Sequence, residues 1–238
     1  MTGAGYYAER LAAERLRACY ELAPARVRAY LDAEIEFILE RSSPSALVLE
    51  LGCGYGRVLQ RLASNARAVV GIDTSFPSLS LAREFLGRNA STHLVAMDAT
   101  RMGFRDGAFD LTACIQNGIC AFAVDPLKLF AEAMRVTRSG GIMLFSSYAA
   151  RFWQDRLEWF ELQAAHGLIG PIDYTATGDG VIVCTDGFKA TTMSPDGFAA
   201  LAARLGLSAG IVEVDASSLF CEIRLPFRER GCDTGGDR

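Results

Sequence analysis

Glycines and carboxylates carry most of the chemistry that can be read along this chain. In Glu50-Leu51-Gly52-Cys53-Gly54-Tyr55-Gly56 the glycines alternate with side chains directly after the apolar run Ala46-Leu47-Val48-Leu49. Without β-carbons at Gly52, Gly54 and Gly56 the backbone can turn sharply, approach a ligand closely and present amide hydrogens near the start of a following helix. Position 57 is an arginine, so the G-x-G-x-x-G pattern that cradles a dinucleotide pyrophosphate is left incomplete. Asp73 ends a second apolar run, Ala68-Val69-Val70-Gly71-Ile72, where a carboxylate can accept two hydrogen bonds from a ribose diol. Asp98 follows Thr92-His93-Leu94-Val95-Ala96 in the same way, placed to meet the edge of an adenine. Each acid alone has an ordinary alternative as a helix cap or turn residue. Glycine loop and both acids in this order, each at a strand end, define one crevice at the carboxyl edge of a sheet.

The groups that could act on a second substrate are less sharply marked. Gln116 and Asn117 follow a fourth apolar run, where their amides could orient a ligand; for Asn117, which precedes Gly118, a turn role is the alternative. His166 could serve as a general base near neutral pH, although a helix-end cap is the commoner role, and His93 lies within a strand and reads as structural. An acceptor that must lose a proton could use His166, Glu158, Glu161, Asp173 or Tyr174, and the pattern does not choose among them. The catalytic candidates are thus His166, Tyr174 and Asn117. Tyr148, Phe152, Trp153, Trp159 and Phe160 could form an apolar or cation-attracting wall over a bound substrate, with core packing the commoner fate of such residues. Tyr6, Tyr7 and Tyr20 belong to amphipathic helices and read first as packing residues.

These residues need a scaffold, and the chain alternates strand-like and helix-like segments. From about Tyr6 to Arg41 apolar residues recur at helical spacing, and Pro24 divides the region into two helices. Helices are expected from Arg57 to Ser64, Ser78 to Leu86 and Pro126 to Val136, between strands ending at Leu49, Asp73, Ala96 and Ile115 and a fifth, Ile142 to Ser146, after a turn at Ser139-Gly140-Gly141. Near-continuously apolar strands in βα alternation imply a parallel sheet covered on both faces. After Tyr148 the rhythm breaks. Arg151 to His166 reads as an aromatic-rich helix, and Ile172 to Thr185, around Gly178-Asp179-Gly180, reads as a hairpin. Ser194 and Pro195 then start a helix as N-cap and first residue, and two closing strands follow, about 209–214 and 219–225. The expected organisation is an N-terminal helical lid (1–44), a Rossmann-like core (45–148), an α+β cap insertion (149–193), a helix and strand pair completing the core (194–228) and a flexible tail (229–238). The fold class is α/β, a seven-stranded, mostly parallel sheet with an antiparallel last strand.

Composition bounds the partners. The chain has 238 residues, half of them hydrophobic, which suits one α/β domain with an elaboration. A net charge of -4 supplies no basic field for holding phosphate backbones, so nucleic acid is disfavoured as a substrate. The seven cysteines are dispersed, without the Cys/His spacing of a zinc site, so no metal is expected, and a reducing, cytoplasmic location fits best. No stretch approaches the length and apolarity of a membrane span, and no signal-peptide core is visible near the start.

Through Glu50 to Gly56, Val70-Gly71-Ile72-Asp73, Met97-Asp98-Ala99, Phe109-Asp110 and Arg138-Ser139-Gly140-Gly141, the chain resembles the class I methyltransferases that use S-adenosylmethionine (SAM). The resemblance covers about 45–148 and, more loosely, the last helix and hairpin. It implies methyltransferase activity (EC 2.1.1), with SAM as cofactor and S-adenosylhomocysteine as product. It places Gly52, Cys53 and Gly54 against the methionine and ribose, Asp73 on the ribose hydroxyls, and Asp98 at the adenine amine. Thr74 and Ala99 would lie against the adenine, Glu50 would support the loop, and Gln116 would sit near the methionine portion. Where the DNA-amine subgroup has Asn/Asp-Pro-Pro-Tyr, this chain has Gln116-Asn117-Gly118-Ile119, which argues against adenine methylation. The reading is methyl transfer to a small molecule. Its alternatives are an RNA or protein methyltransferase, a SAM-binding module without activity, and aminopropyl transfer. The acceptor atom and the oligomeric state are left open.

Overall fold

The structure, a computed structural model, describes residues 6–227. The first residues of the expected lid, the expected tail over 229–238 and Cys232 lie outside the described residues. The elements run α1 (Tyr6–Glu9), α2 (Glu14–Glu21), α3 (Ala25–Leu39), β1 (Leu47–Leu51), α4 (Arg57–Leu62), β2 (Ala68–Asp73), α5 (Phe76–Leu86), β3 (Thr92–Ala96) and β4 (Phe109–Cys114). Next come α6 (Gly118–Ala121), α7 (Pro126–Val136), β5 (Thr137–Tyr148), α8 (Trp153–Ala165), β6 (Ile182–Val183), β7 (Lys189–Ala190), α9 (Pro195–Arg204), β8 (Gly210–Val214) and β9 (Ser218–Arg224).

The main sheet has seven strands in the order β3-β2-β1-β4-β5-β9-β8. β9 runs antiparallel to both β5 and β8, and the other pairings are parallel. Because successive strand side chains point to opposite faces, each strand feeds two cores. Val48, Leu144 and Phe220 pack with Ile35, Ile38, Leu59 and Leu79 from α3, α4 and α5. Leu49, Leu51, Met143, Phe145 and Cys221 pack with Leu129, Phe130, Ala133 and Phe198 from α7 and α9. Stacked rings fasten both faces: Phe37 on Phe220 and Phe130 on Phe145, each pair with centroids 4.1 Å apart. A third apolar cluster joins distant segments of the chain, with Leu11, Cys19, Val27 and Tyr30 meeting Phe152, Trp159, Phe160, Ile182 and Phe188.

Local chemistry accounts for several boundaries. Pro stands at the first helical position of α7 and α9 and the second of α5, and the caps Ser75, Asp125 and Ser194 each accept a hydrogen bond from the first turn. Asp110 pins the start of β1 through the Leu47 amide at 2.7 Å and takes the Arg138 guanidinium at 2.6 Å, so the Phe109-Asp110 and Arg138 motifs are a structural clasp.

Four sequence-based expectations are corrected. The N-terminal region forms three helices, because the chain also breaks at Ala13, whose φ of +50° interrupts the helix and whose amide donates to Ser78 Oγ. Ser139-Gly140-Gly141 is no free turn; β5 begins at Thr137, and a register irregularity opposite Phe109 and Leu111 absorbs the glycines. The hairpin expected over 172–185 is reduced to isolated bridges at Ile172/Cys184 and Gly178/Val181, while β6 pairs instead with β7. There Thr177 Oγ1 takes the Val183 amide at 3.0 Å, and Asp173 binds the Thr175 amide and hydroxyl, so side chains replace the hairpin ladder. The short helix α6, directly after β4, has no counterpart among the expected elements.

Candidate functional site

The glycine loop is held from two sides. The amides of Gly52 and Cys53 both donate to the Ile72 carbonyl, at 2.8 and 3.0 Å, which ties the loop to the end of β2. Asp73 completes the clasp, with Oδ2 accepting from the Gly54 amide at 2.9 Å and Oδ1 from the Ser75 amide at 2.8 Å. Burial raises the Asp73 carboxyl from its ordinary value, and these backbone N–H groups oppose the rise. Gly52 and Gly54 lie at φ +74° and +52°, where a β-carbon is strained. A β-carbon on Gly52 would also lie 2.4 Å from the Phe122 ring.

Beside this loop opens a cavity of about 290 Å³. Its sheet-edge wall includes Glu50, Gly52, Gly54, Asp73, Thr74, Asp98 and Ala99, from the ends of β1, β2 and β3. The opposite wall is contributed by Tyr7 of α1, Cys19 and Tyr20 of α2, and Trp159, Phe160 and Gln163 of α8, with Tyr148 at the end of β5. The Trp159 indole donates to the Cys19 carbonyl at 2.8 Å, and Tyr20 and Trp159 lie with ring centroids 6.0 Å apart, so α2 and α8 form one surface.

Gln116 and Asn117 sit at the floor in left-handed conformations, φ +55° and +62°. Glu34, fully buried on α3, holds them there: its carboxylate accepts from the Gln116 amide at 2.6 Å, from Ser146 Oγ at 2.9 Å and from the Ser218 hydroxyl. Burial pushes the Glu34 carboxyl up to about 7, against the pull of those donors. The Asn117 side chain is engaged at both ends, accepting from Ser147 Oγ at 2.8 Å and donating to the Thr191 carbonyl at 2.9 Å.

Of the residues singled out in the sequence, Glu50, Gly52, Gly54, Asp73, Thr74, Asp98, Ala99, Gln116 and Asn117 line the one cavity. Cys53 does not; its side chain turns beneath the loop against Gly71. Asp98 is exposed at the rim, and its Oδ1 takes the Thr100 amide and hydroxyl at 2.7 and 2.8 Å in an Asx turn, leaving Oδ2 without a protein partner. His166 caps the end of α8, exposed, with Nδ1 2.8 Å from the Leu162 carbonyl, outside the cavity lining. Tyr174 is 64% exposed and donates to Glu161, also outside it, and Glu158, Glu161 and Asp173 are absent from the lining. The geometry therefore gives Asn117 a bracing role and sets His166 and Tyr174 apart from the cavity. Three buried groups escaped the sequence reading: Glu34, Arg156 and Gln163. A signal existed for each, since Glu34 interrupts the apolar stripe Leu31, Ile35, Ile38, and Arg156 and Gln163 interrupt Phe152, Trp159, Phe160.

Two polar atoms in the cavity walls are left wanting. Glu50 Oε2 and Gln116 Nε2 are buried without a hydrogen-bond partner, and burial lifts the Glu50 carboxyl to about 8 despite the nearby Arg57. Orphaned buried groups of this kind are expected where a ligand completes the bonding. With the bare loop at Gly52 and Gly54, they suit an amino-acid nucleoside lying across the ends of β1 to β3. Sheet order, glycine loop and strand-end acids together define a Rossmann-like core.

Comparison with known proteins gives the core its family. Residues 49–145 match the methyltransferase domain family. A malonyl-[acyl-carrier protein] O-methyltransferase of Serratia marcescens is 31% identical over 114 residues, covering 48% of this chain and 43% of the relative. Among solved structures, a protein of Pyrococcus horikoshii superposes with a TM-score of 0.64 at 19% identity, over 92% of this chain and 97% of its own. A SAM-dependent methyltransferase of Methanosarcina mazei gives 0.60 at 16% identity, over 81% and 98%. The chain spans less than half the length of the curated relative from Serratia. Residues 49–145 thus carry a methyltransferase domain, and its fold is that of the SAM-dependent methyltransferase from Methanosarcina. Among the described residues no helix is long and apolar enough to cross a membrane.

Proposed function

We propose that this protein transfers the methyl group of SAM to a small-molecule acceptor held between the sheet edge and the α1, α2 and α8 wall. The observation that carries this reading is the single cavity in which the cofactor-type wall, Gly52 to Asp98, faces Tyr7, Tyr148, Trp159, Phe160 and Gln163. Methyl transfer from a sulfonium is an in-line displacement on an activated donor, so the protein must mainly align the reactants and keep water out. SAM supplies the activated methyl group. Asp73 would take the ribose hydroxyls through lone pairs not used by Gly54 and Ser75, Asp98 Oδ2 would meet the adenine edge, and Gln116 Nε2 would meet the amino-acid portion. The aromatic wall excludes water around the transfer point. The N-terminal helices act as a lid and the segment 149–193 as a cap, since together they form the acceptor side of the cavity. A cleft with no Lys or Arg in its lining among the described residues favours a small acceptor over RNA.

The test is direct. Protein stripped of copurified nucleoside should bind SAM and S-adenosylhomocysteine in calorimetry and should pass label from methyl-labelled SAM to a small molecule in cell extracts. Binding without labelling would favour a SAM-binding module, and no binding would remove the assignment.

A further inference from the structure

The two halves of the cavity differ in charge. Glu50, Asp73 and Asp98, the only carboxylates in its lining among the described residues, all stand on the glycine-loop side. The acceptor side, from Tyr7, Leu11, Cys19 and Tyr20 to Tyr148, Trp159, Phe160 and Gln163, contains no Asp, Glu, His, Lys or Arg among the described residues. Its ionisable groups are phenols and a thiol. Burial raises Tyr7, Tyr20, Tyr148 and Cys19 above their ordinary values, the last two to about 12, so they stand as neutral donors and not as bases. None of these described residues can take a proton from an amine or alcohol at neutral pH.

Directly behind this wall lies an unneutralised cation. Arg156 is 1% exposed, and its Nη1 and Nη2 donate only to the carbonyls of Gly180 and Ala190, at 2.9 and 3.1 Å. Its Nε has no partner, and no carboxylate lies within ion-pair distance of it among the described residues. The guanidinium sits 4.5 Å from the Tyr148 ring centroid and 5.5 Å from that of Phe160, two rings that face the cavity. A buried charge without a counter-ion is costly, and its field is little screened in a dry interior. In the wall itself the Tyr7 hydroxyl and the Gln163 amide, on a residue 2% exposed, have no hydrogen-bond partner among the described residues.

We infer that the acceptor is a small organic carboxylate with an apolar body, its oxygen met by the Tyr7 hydroxyl and Gln163 amide and its charge balanced by Arg156 behind Tyr148 and Phe160. This inference rests on the methyl-transfer reading above and names its substrate class. A carboxylate oxygen forms the new O–CH3 bond with its own electron pair while the S–CH3 bond breaks and that pair stays on sulfur. The anion and the sulfonium become a neutral methyl ester and a neutral thioether, and no proton is released. A base is not needed, which is what the acceptor wall offers. Arg156 does not line the cavity and is a positioning residue.

The full-length protein would be incubated with methyl-labelled SAM and a panel of aliphatic and aromatic monocarboxylic acids, each beside the amine, alcohol and primary amide of the same carbon body. Methyl esters should form from acids alone, with no proton released in weakly buffered solution as S-adenosylhomocysteine accumulates. Binding of the preferred acid to the S-adenosylhomocysteine complex, measured by calorimetry, should weaken at least tenfold in Arg156→Met and recover in Arg156→Lys. Because Arg156→Met could disturb the fold, Gln163→Leu and Tyr7→Phe are the milder variants, each expected to raise KM for the acid several-fold with kcat little changed. Methylation of amines or alcohols, one proton released per turnover, no ester from any acid, or unchanged acid binding in all these variants would overturn the inference. Failure of the wild-type protein to bind S-adenosylhomocysteine would instead remove the underlying methyltransferase reading.

Discussion

The wall of the cavity formed by β1, β2 and β3 and the wall formed by α1, α2 and α8 solve different problems. On the first, the groups that face a ligand are backbone amides and carboxylates lying between Glu50 and Asp98, and they are fixed by main-chain bonds such as Gly52 and Cys53 to Ile72. On the second, the contacts cross the length of the chain: Trp159 to Cys19 spans 140 residues, and Tyr6 to Asp186 spans 180. The first wall is local and repeats a spacing set by strand and loop geometry; the second exists only when remote helices pack together. A cofactor common to a family suits the first, and an individual acceptor suits the second.

Perturbing the group beneath both walls should have the largest effect. Glu34→Ala strands the Gln116 amide and two serine hydroxyls, and we expect a loss of roughly 3 kcal/mol or more in urea unfolding. Its charge has a pH signature as well. With the folded carboxyl at about 7 against an ordinary value of 4.5, the folded state holds a proton that the unfolded chain has released across that interval. Glu34 thus contributes stability below about 4.5 that is lost as pH rises to about 7. Glu34→Gln should flatten that decline, and an unchanged slope would show that the carboxyl is not held protonated. Glu50 should extend the same loss to about 8.

Smaller effects should separate the two walls. Asp73→Ala removes the acceptor for the Gly54 and Ser75 amides and the ribose partner, and SAM affinity should drop by about 30-fold, roughly 2 kcal/mol in calorimetry. Gly52→Ala forces a β-carbon into positive φ and against the Phe122 ring, and about 1–2 kcal/mol of binding should be lost. His166→Ala should change kcat and KM by less than about twofold, as an exposed surface substitution away from the cavity does; a large loss would bring α8's end into the chemistry and break the comparison.

The glycine loop, Asp73 and the order of the strands were legible because each depends on residues close in sequence: alternation sets which face a side chain takes, and missing β-carbons set where the backbone may turn. The cap hairpin was misread because Thr177 and Asp173 compete with strand pairing through their own side chains, a contest that composition does not decide. His166, Tyr174 and the acids near them suggested acid-base chemistry by residue type alone, and packing turned them outward.

The sequence by itself determined that a parallel sheet would present bare backbone and carboxylates at one edge, since both follow from short-range periodicity and steric freedom. Only the tertiary structure decided what faces that edge. Glu34, Arg156 and Gln163 acquire their roles from burial, and burial is set by the packing of helices far apart in the chain, where desolvation makes an isolated charge or an unpaired amide consequential.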